Sequence, residues 1–442
     1  MTKTWVGLGV MVWLAGCAAE FETGGNIGGA NRNGRFPGNK PGGIAVRSGD
    51  IAVSPLGDYF LTLRGKALVL GGTQSQDAAA VDGMPTPERV AFWGEGDGFY
   101  AVSRDGGRQI LVSYDRAAGR ERWRKDMPER KDQRIDVTRN RVILAGKNLQ
   151  ILDAADGSEV ATYAPANSTI RDVDVLHGGT HVLVTQETSW ETGSPRTTLS
   201  VRNTDTGEEE STTDADNCAD DVVVSEDETA AFLAPTLCQQ DPVTVLSLAG
   251  NQISVTRQLP GFGPVAKSPA GNLLVAFLDR DAQAPEGTSI PDGVKSSQHR
   301  YHLMFINTGT LEFETQSVGD QLPRYIFTPD GKRLLVDTPM DIFSHIRVLD
   351  MTTRRWHQTS GAPAKLNTFT LSPDGRRAFI ADKQLFVLDI GGAAVRPAGL
   401  SLPPDSVNLT SDGLTLLVTQ VTDRVLLFFD ALQTREKGRV YY

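Results

Sequence analysis

The chain has 442 residues, with 54 Asp and Glu against 44 Lys and Arg for a formal net charge of −10, and a pI near 5.2. Such an acid excess argues against a nucleic-acid partner, which needs a cationic footprint. By length alone, a chain of this size at 39% hydrophobic content divides into two or three domains.

At the N-terminus, Lys3 precedes an apolar run from Trp5 to Leu14, too short to span a bilayer and shaped like a secretory signal. The run ends in Leu14-Ala15-Gly16-Cys17, which resembles the bacterial lipobox. That resemblance implies cleavage before Cys17 and acylation of its thiol and amine, giving a lipoprotein held to the membrane by its N-terminus. Ala18 stands where the enteric pattern places the aspartate of inner-membrane retention. An outer-membrane address, facing either the periplasm or the exterior, is therefore favoured. From Phe21 to Gly43 the chain reads FETGGNIGGANRNGRFPGNKPGG, which cannot build a core and has the composition of a tether reaching roughly 25–30 Å. The expected division is a signal peptide at 1–16, a lipidated tether at 17–43 and one folded body at 44–442.

Within that body the stretch TFTLSPDGRRAFIADKQLFVLDI, Thr368 to Ile390, has two short β-branched runs flanking Ser372-Pro373-Asp374-Gly375, then a third run ending on Asp389. Proline presets the second turn position, aspartate suits the third and glycine accepts the positive φ that closes the hairpin. The turn recurs as Ser54-Pro55-Leu56-Gly57, Ser268-Pro269-Ala270-Gly271, Thr328-Pro329-Asp330-Gly331 and Ser411-Asp412-Gly413, and more weakly as Ser225-Glu226-Asp227-Glu228. Third runs with a polar stop recur at Asp153, Asn307, Asp350 and Asp430. Adding less regular units around Gly98, Asn140 and Gly179, successive turns lie 41, 42, 39, 48, 44, 60, 44 and 38 residues apart. A period near 40 with three or four short strands per unit predicts an all-β fold, a single β-propeller of four-stranded antiparallel blades. Nine units fit where eight blades is the usual ceiling, so eight is favoured, with seven and nine open. Gly438 to Tyr442 reads as a strand, and closure of the ring is expected to pair strands from both termini.

These residues resemble the bacterial YVTN-type and lactonase-like propellers, most closely from Leu322 to Ala431, and more loosely the TolB-like and WD-repeat propellers. The resemblance implies the fold and leaves the activity open, because that family holds hydrolases, electron-transfer partners, surface proteins and scaffolds. The pairing of an anchor with a propeller also looks like an outer-membrane assembly lipoprotein, without a residue-level motif behind it.

Three cysteines less a lipidated Cys17 leave Cys218 and Cys238 astride the fifth turn, and a disulfide across the two inner strands of that blade is expected. Long insertions at Gln186 to Thr198, Asp279 to Arg300 and Asp337 to Ser344 fall between second and third strands, all on the face opposite the short turns. With Cys238 they elaborate four consecutive blades. Trp190, Glu191, Asp279, Asp281, His299, Arg300, His302 and Asp341 are the candidate binding residues there, since long loops on a rigid scaffold carry binding. Asn203 to Thr256 holds twelve acidic residues and no Lys or Arg, whereas Arg104 to Arg141 holds twelve basic against seven acidic. Such a lopsided ring favours oriented docking.

No His-Glu-x-x-His, Cys-x-x-Cys, P-loop or Gly-x-Ser-x-Gly motif occurs, so neither a catalytic residue nor a cofactor is assigned. Asp214, Asp216 and Asp220 lack the calcium-loop pattern. Strand alternation sets His299 and His302 on different sides, which disfavours a metal pair. The expectation is an interaction or scaffold module whose partner is an envelope or surface protein. A lactonase-like hydrolase with a site at the central mouth is the alternative.

Overall fold

The computed structural model describes residues 44–45, 51–93, 97–127, 134–138, 140–166, 168–188, 196–215, 221–235, 242–338, 345–359, 368–400, 403–420 and 424–441. Among them, nine antiparallel sheets follow one another along the chain, at 51–80, 87–127, 134–163, 168–215, 221–259, 262–319, 324–358, 368–397 and 406–441. Each is built from four consecutive strands, and the first strand of a blade lies beside the first strand of the next. The protein is a single nine-bladed propeller, at the top of the expected range. All nine turn positions read from the sequence join a first strand to a second.

Burial along the strands follows from the ring. Middle strands are covered on both faces by neighbouring blades and read as continuous apolar runs, as in Arg141–Ala145 and Arg377–Ala381, where only the first residue is not fully buried. Outer strands at the splayed rim alternate, as in Glu209–Ala215 and Arg435–Tyr441. The core is accordingly nine separate apolar clusters, one at each blade junction. The ninth joins Phe60 and Ile51 of blade 1 to Leu417, Leu426 and Phe428 of blade 9, with the two phenylalanine rings 6.0 Å apart, edge to face.

That junction corrects the expected closure. The last strand, Arg435–Tyr441, pairs within its own blade, with Val425–Asp430. Nine complete units leave no strand over for sharing, so the ring closes by side-chain packing and by Asn408 Nδ2 donating to Ile51 O at 2.9 Å. The N-terminal strand goes elsewhere. Ile44–Ala45 pairs antiparallel with Val90 and Arg89 of the innermost strand of blade 2, as a fifth strand on the axial side. A ring of nine leaves a wider axial space than one of eight, and this strand lies in it.

The recurring turn is held by its own side chains. Ser372 Oγ donates to Asp374 Oδ1 at 2.6 Å and accepts Arg377 N–H at 2.9 Å, while Gly375 N–H donates to Ser372 O at 2.9 Å with φ at +67°. Thr328 and Thr410 repeat the pattern with Asp330 and Asp412. The polar stop of the third strand is an Asx turn: Asp389 Oδ1 accepts Gly391 and Gly392 N–H at 3.0 and 3.1 Å, and Asn307, Asp350 and Asp430 act likewise. The turns also meet around the axis. A Cβ on Gly331 would lie 2.6 Å from Ala270 Cβ of the preceding blade, and one on Gly413 would lie 2.8 Å from Pro373 Cδ.

Candidate interaction face

Strand alternation puts first-to-second and third-to-fourth turns on one face, here the turn face. Second-to-third connections and blade-to-blade links lie on the other, the loop face. In blades 1, 2, 3 and 8 the loop-face connection is tight, closing directly after Arg64, Asp105, Ala145 and Ala381. In blades 4 to 7 it is longer, running from Thr188 to Thr197, Ala234 to Val243, Asp279 to Tyr301 and Thr338 to His345. The blade 4 insertion is shorter than expected, because Gln186 pairs with Thr198 and Glu187 with Thr197, continuing the ladder. Likewise Asp337 pairs with Ile346 in blade 7. Trp190, Glu191, Asp341, Cys218, Cys238 and the lipidation candidate Cys17 lie outside the described residues.

The blade 6 connection is a built platform. Asp279 closes its neck: its carboxylate accepts Arg300 Nε at 2.9 Å and Asp281 N–H at 2.9 Å, while Arg280 N–H donates to Arg300 O at 2.8 Å. The Asp279 bond raises the Arg300 pKa, holding that guanidinium charged. Arg300 N–H donates to Asp320 Oδ1 at 2.9 Å, and Arg280 Nη1 reaches Ser297 O at 3.3 Å. Within the loop, Pro291 starts a single helical turn, Asp292–Lys295. Ile290 and Val294 drop into the core between blades 5 and 6 at 3% and 1% exposure, with Ala282 packed beside them. Burying two such side chains contributes about 3–5 kcal/mol toward holding the loop down.

Of the two histidines near this neck, His302 is buried beneath the platform, and burial pushes its pKa below the ordinary value. His299 is exposed, its Nδ1 3.8 Å from Asp320 Oδ2. The two are nevertheless adjacent, since the His302 ring hydrogen-bonds to the His299 backbone. Among the described residues no group of three or more His, Cys, Asp or Glu is placed to hold a metal ion. The structure thus brings Asp279, Asp281, His299 and Arg300 together, removes His302 from the surface, and adds Arg280 and Asp320. Ile290 and Val294 were missed, although two apolar residues inside a polar insertion, either side of Pro291-Asp292, are the signal that could have found them.

Charge is laid out around the rim. Arg120, Arg122 and Arg124 lie exposed on the outer strand of blade 2, while Glu209, Glu210 and Asp214 lie exposed on that of blade 4. The acidic run also ties blade 4 to blade 5 on the turn face. His177 Nδ1 is 2.9 Å from Glu228 Oε2, His181 Nε2 is 3.0 Å from Glu210 Oε1, and Asn251 Nδ2 donates to Glu210 Oε2 at 2.9 Å. The bond from His181 holds the Glu210 carboxyl below its usual range. Glu228 replaces the glycine of the repeated turn and keeps its left-handed backbone, φ +56°. Its carboxylate also accepts His177 N–H at 2.6 Å.

No family model matches the chain, and no curated protein matches it. Many solved chains do. One is a chain of the Kuenenia stuttgartiensis hydrazine synthase, 16% identical, with a TM-score of 0.40, covering 69% of this chain and 92% of that one.

Proposed function

We propose that the protein is an exported, lipid-anchored propeller that serves as a protein-protein interaction module in a bacterial cell envelope. The observation that carries this reading is the concentration of long connections on one face of four consecutive blades, with the blade 6 connection anchored as a platform by Ile290 and Val294. A surface held in one conformation loses little entropy on binding, which favours recognition over a loop that must order first. The opposed charges at the rim of blades 2 and 4 support docking in one orientation. Lipidation at Cys17 and the envelope address rest on the lipobox likeness.

Crosslinking with mass spectrometry on intact cells tests the reading. Excising the whole loop would strip Ile290 and Val294 from the core, so the informative variant changes exposed groups only, Asp281→Lys with His299→Glu. Loss of one specific crosslinked protein is expected. An unchanged crosslink map sinks the reading and moves the search to the central mouth, where hydrolysis of lactones is the next assay.

A further inference from the structure

Five large apolar side chains are exposed among the described residues, and three of them, Leu56, Leu414 and Leu432, are at 62%, 49% and 59% exposure. All three sit on the turn face, Leu56 on blade 1 beside the seam of the ring and Leu414 and Leu432 on blade 9. Leu56 and Leu414 belong to the first turns of blades 1 and 9, which touch where Gly57 meets Ser411. Leu432 is beside them, because Ala431 N–H donates to Leu414 O at 3.0 Å. Several polar groups at these tips are already bonded: Asp58 accepts Ser54 Oγ, Asp412 accepts Thr410 Oγ1, Asp430 accepts Leu432 N–H, and Arg377 of blade 8 donates to Leu432 O. The adjoining turns of blades 9 and 1 thus present leucine side chains outward.

A second observation concerns where the chain enters. Ile44 pairs with Val90 and Ala45 with Arg89, so this strand runs against the innermost strand of blade 2. That inner strand, Pro87–Phe92, runs toward the turn face. The strand at Ile44 thus begins at its turn-face end, on the same face that carries the leucines. Twenty-six residues separate Ile44 from Cys17.

We infer that the turn face rests on the lipid surface holding the anchor, with Leu56, Leu414 and Leu432 entering the headgroup boundary. The loop face of blades 4 to 7 then points away from the membrane. This rests on the reading of Cys17 as lipidated. Side chains of this kind partition favourably into a bilayer interface, and a chain already tethered there needs little additional affinity to adopt one orientation.

The test uses the full chain, purified with its anchor and reconstituted in vesicles of phosphatidylethanolamine and phosphatidylglycerol carrying a lipid with a photoactivatable diazirine acyl chain. Lipid adducts mapped by mass spectrometry are expected on peptides containing Leu56, Leu414 and Leu432, at least five-fold above those from 280–300. The variant Leu56→Ser/Leu414→Ser/Leu432→Ser should lose those adducts yet still float with the vesicles and keep its circular dichroism spectrum. Flotation with adducts spread evenly, or concentrated on 280–300, overturns the orientation while leaving the anchor standing. Failure to float, with an unmodified Cys17 by mass, removes the anchor and this inference with it.

Discussion

Gly331→Ala tests why the blades share one turn. Gly331 has φ +67°, and an added Cβ would lie 2.6 Å from Ala270 Cβ and 2.7 Å from Ala270 N. Two costs combine. A left-handed backbone with a Cβ costs about 1–2 kcal/mol, and forcing a methyl into a filled junction costs about 1–3 kcal/mol more. Because one obstructing atom is backbone, no rotamer change relieves it, and a total of about 2–5 kcal/mol is expected. Gly65→Ala is the control: φ is +59° there, and nothing lies within 4 Å of the added Cβ. It should carry only the backbone cost, about 1–2 kcal/mol. Urea unfolding monitored by circular dichroism gives both values, provided the dependence on denaturant is unchanged. Equal losses for the two variants would refute packing between successive turns as the second reason for glycine.

Ile290→Ala should destabilise the fold by about 2–4 kcal/mol, since it opens a cavity between blades 5 and 6, and a loss below about 0.5 kcal/mol in the same urea assay would mean the platform is not anchored. Burial holds the His302 pKa below its ordinary value of 6.5, so on acidification the unfolded chain binds the proton first. Stability should fall as pH drops below about 6.5, and His302→Leu should flatten the melting temperature in that window. Glu210 behaves differently: its depressed pKa gives stability present above the ordinary value of 4.5 and lost only as pH falls through the lower folded value, a window that Glu210→Gln removes. Finally, Asp221 pairs with Ala234, and Cys218 and Cys238 lie three and four residues beyond those ends in the sequence. A disulfide there should make both thiols refractory to alkylation until reduced, and reduction should cost about 3 kcal/mol. Free alkylation without reductant would count against it.

The blades were legible because their grammar is local. Ser372 to Gly375 and Asp389 hold their turns with bonds spanning two to five residues, which the sequence displays directly. Even the weak turn ending at Glu228 shows as a fainter copy of the motif, and it keeps the glycine conformation with a carboxylate that answers His177. The count of nine was present in the turns, while the preference for eight came from what rings usually hold. Closure was not legible, since the contacts joining Ile51 and Phe60 to Leu417 and Phe428 depend on the whole ring being formed. Nor was Ile44–Ala45, because two residues carry no periodicity. At the loop face, position followed from strand alternation, whereas the anchoring of Ile290 and Val294 is tertiary and left no periodic trace.

The path by which the chain joins the ring sets how the molecule bears load. Force transmitted along the segment upstream of Ile44 meets first the two-residue ladder to Val90 and Arg89, before it reaches blade 1. So short a ladder gives way at lower tension than a four-stranded blade. The junction of blades 9 and 1, like the other blade junctions, packs through an apolar cluster, with the Asn408 bond added. The strand in the axis therefore takes a pull on Ile44 first, ahead of the junction where the last blade meets the first.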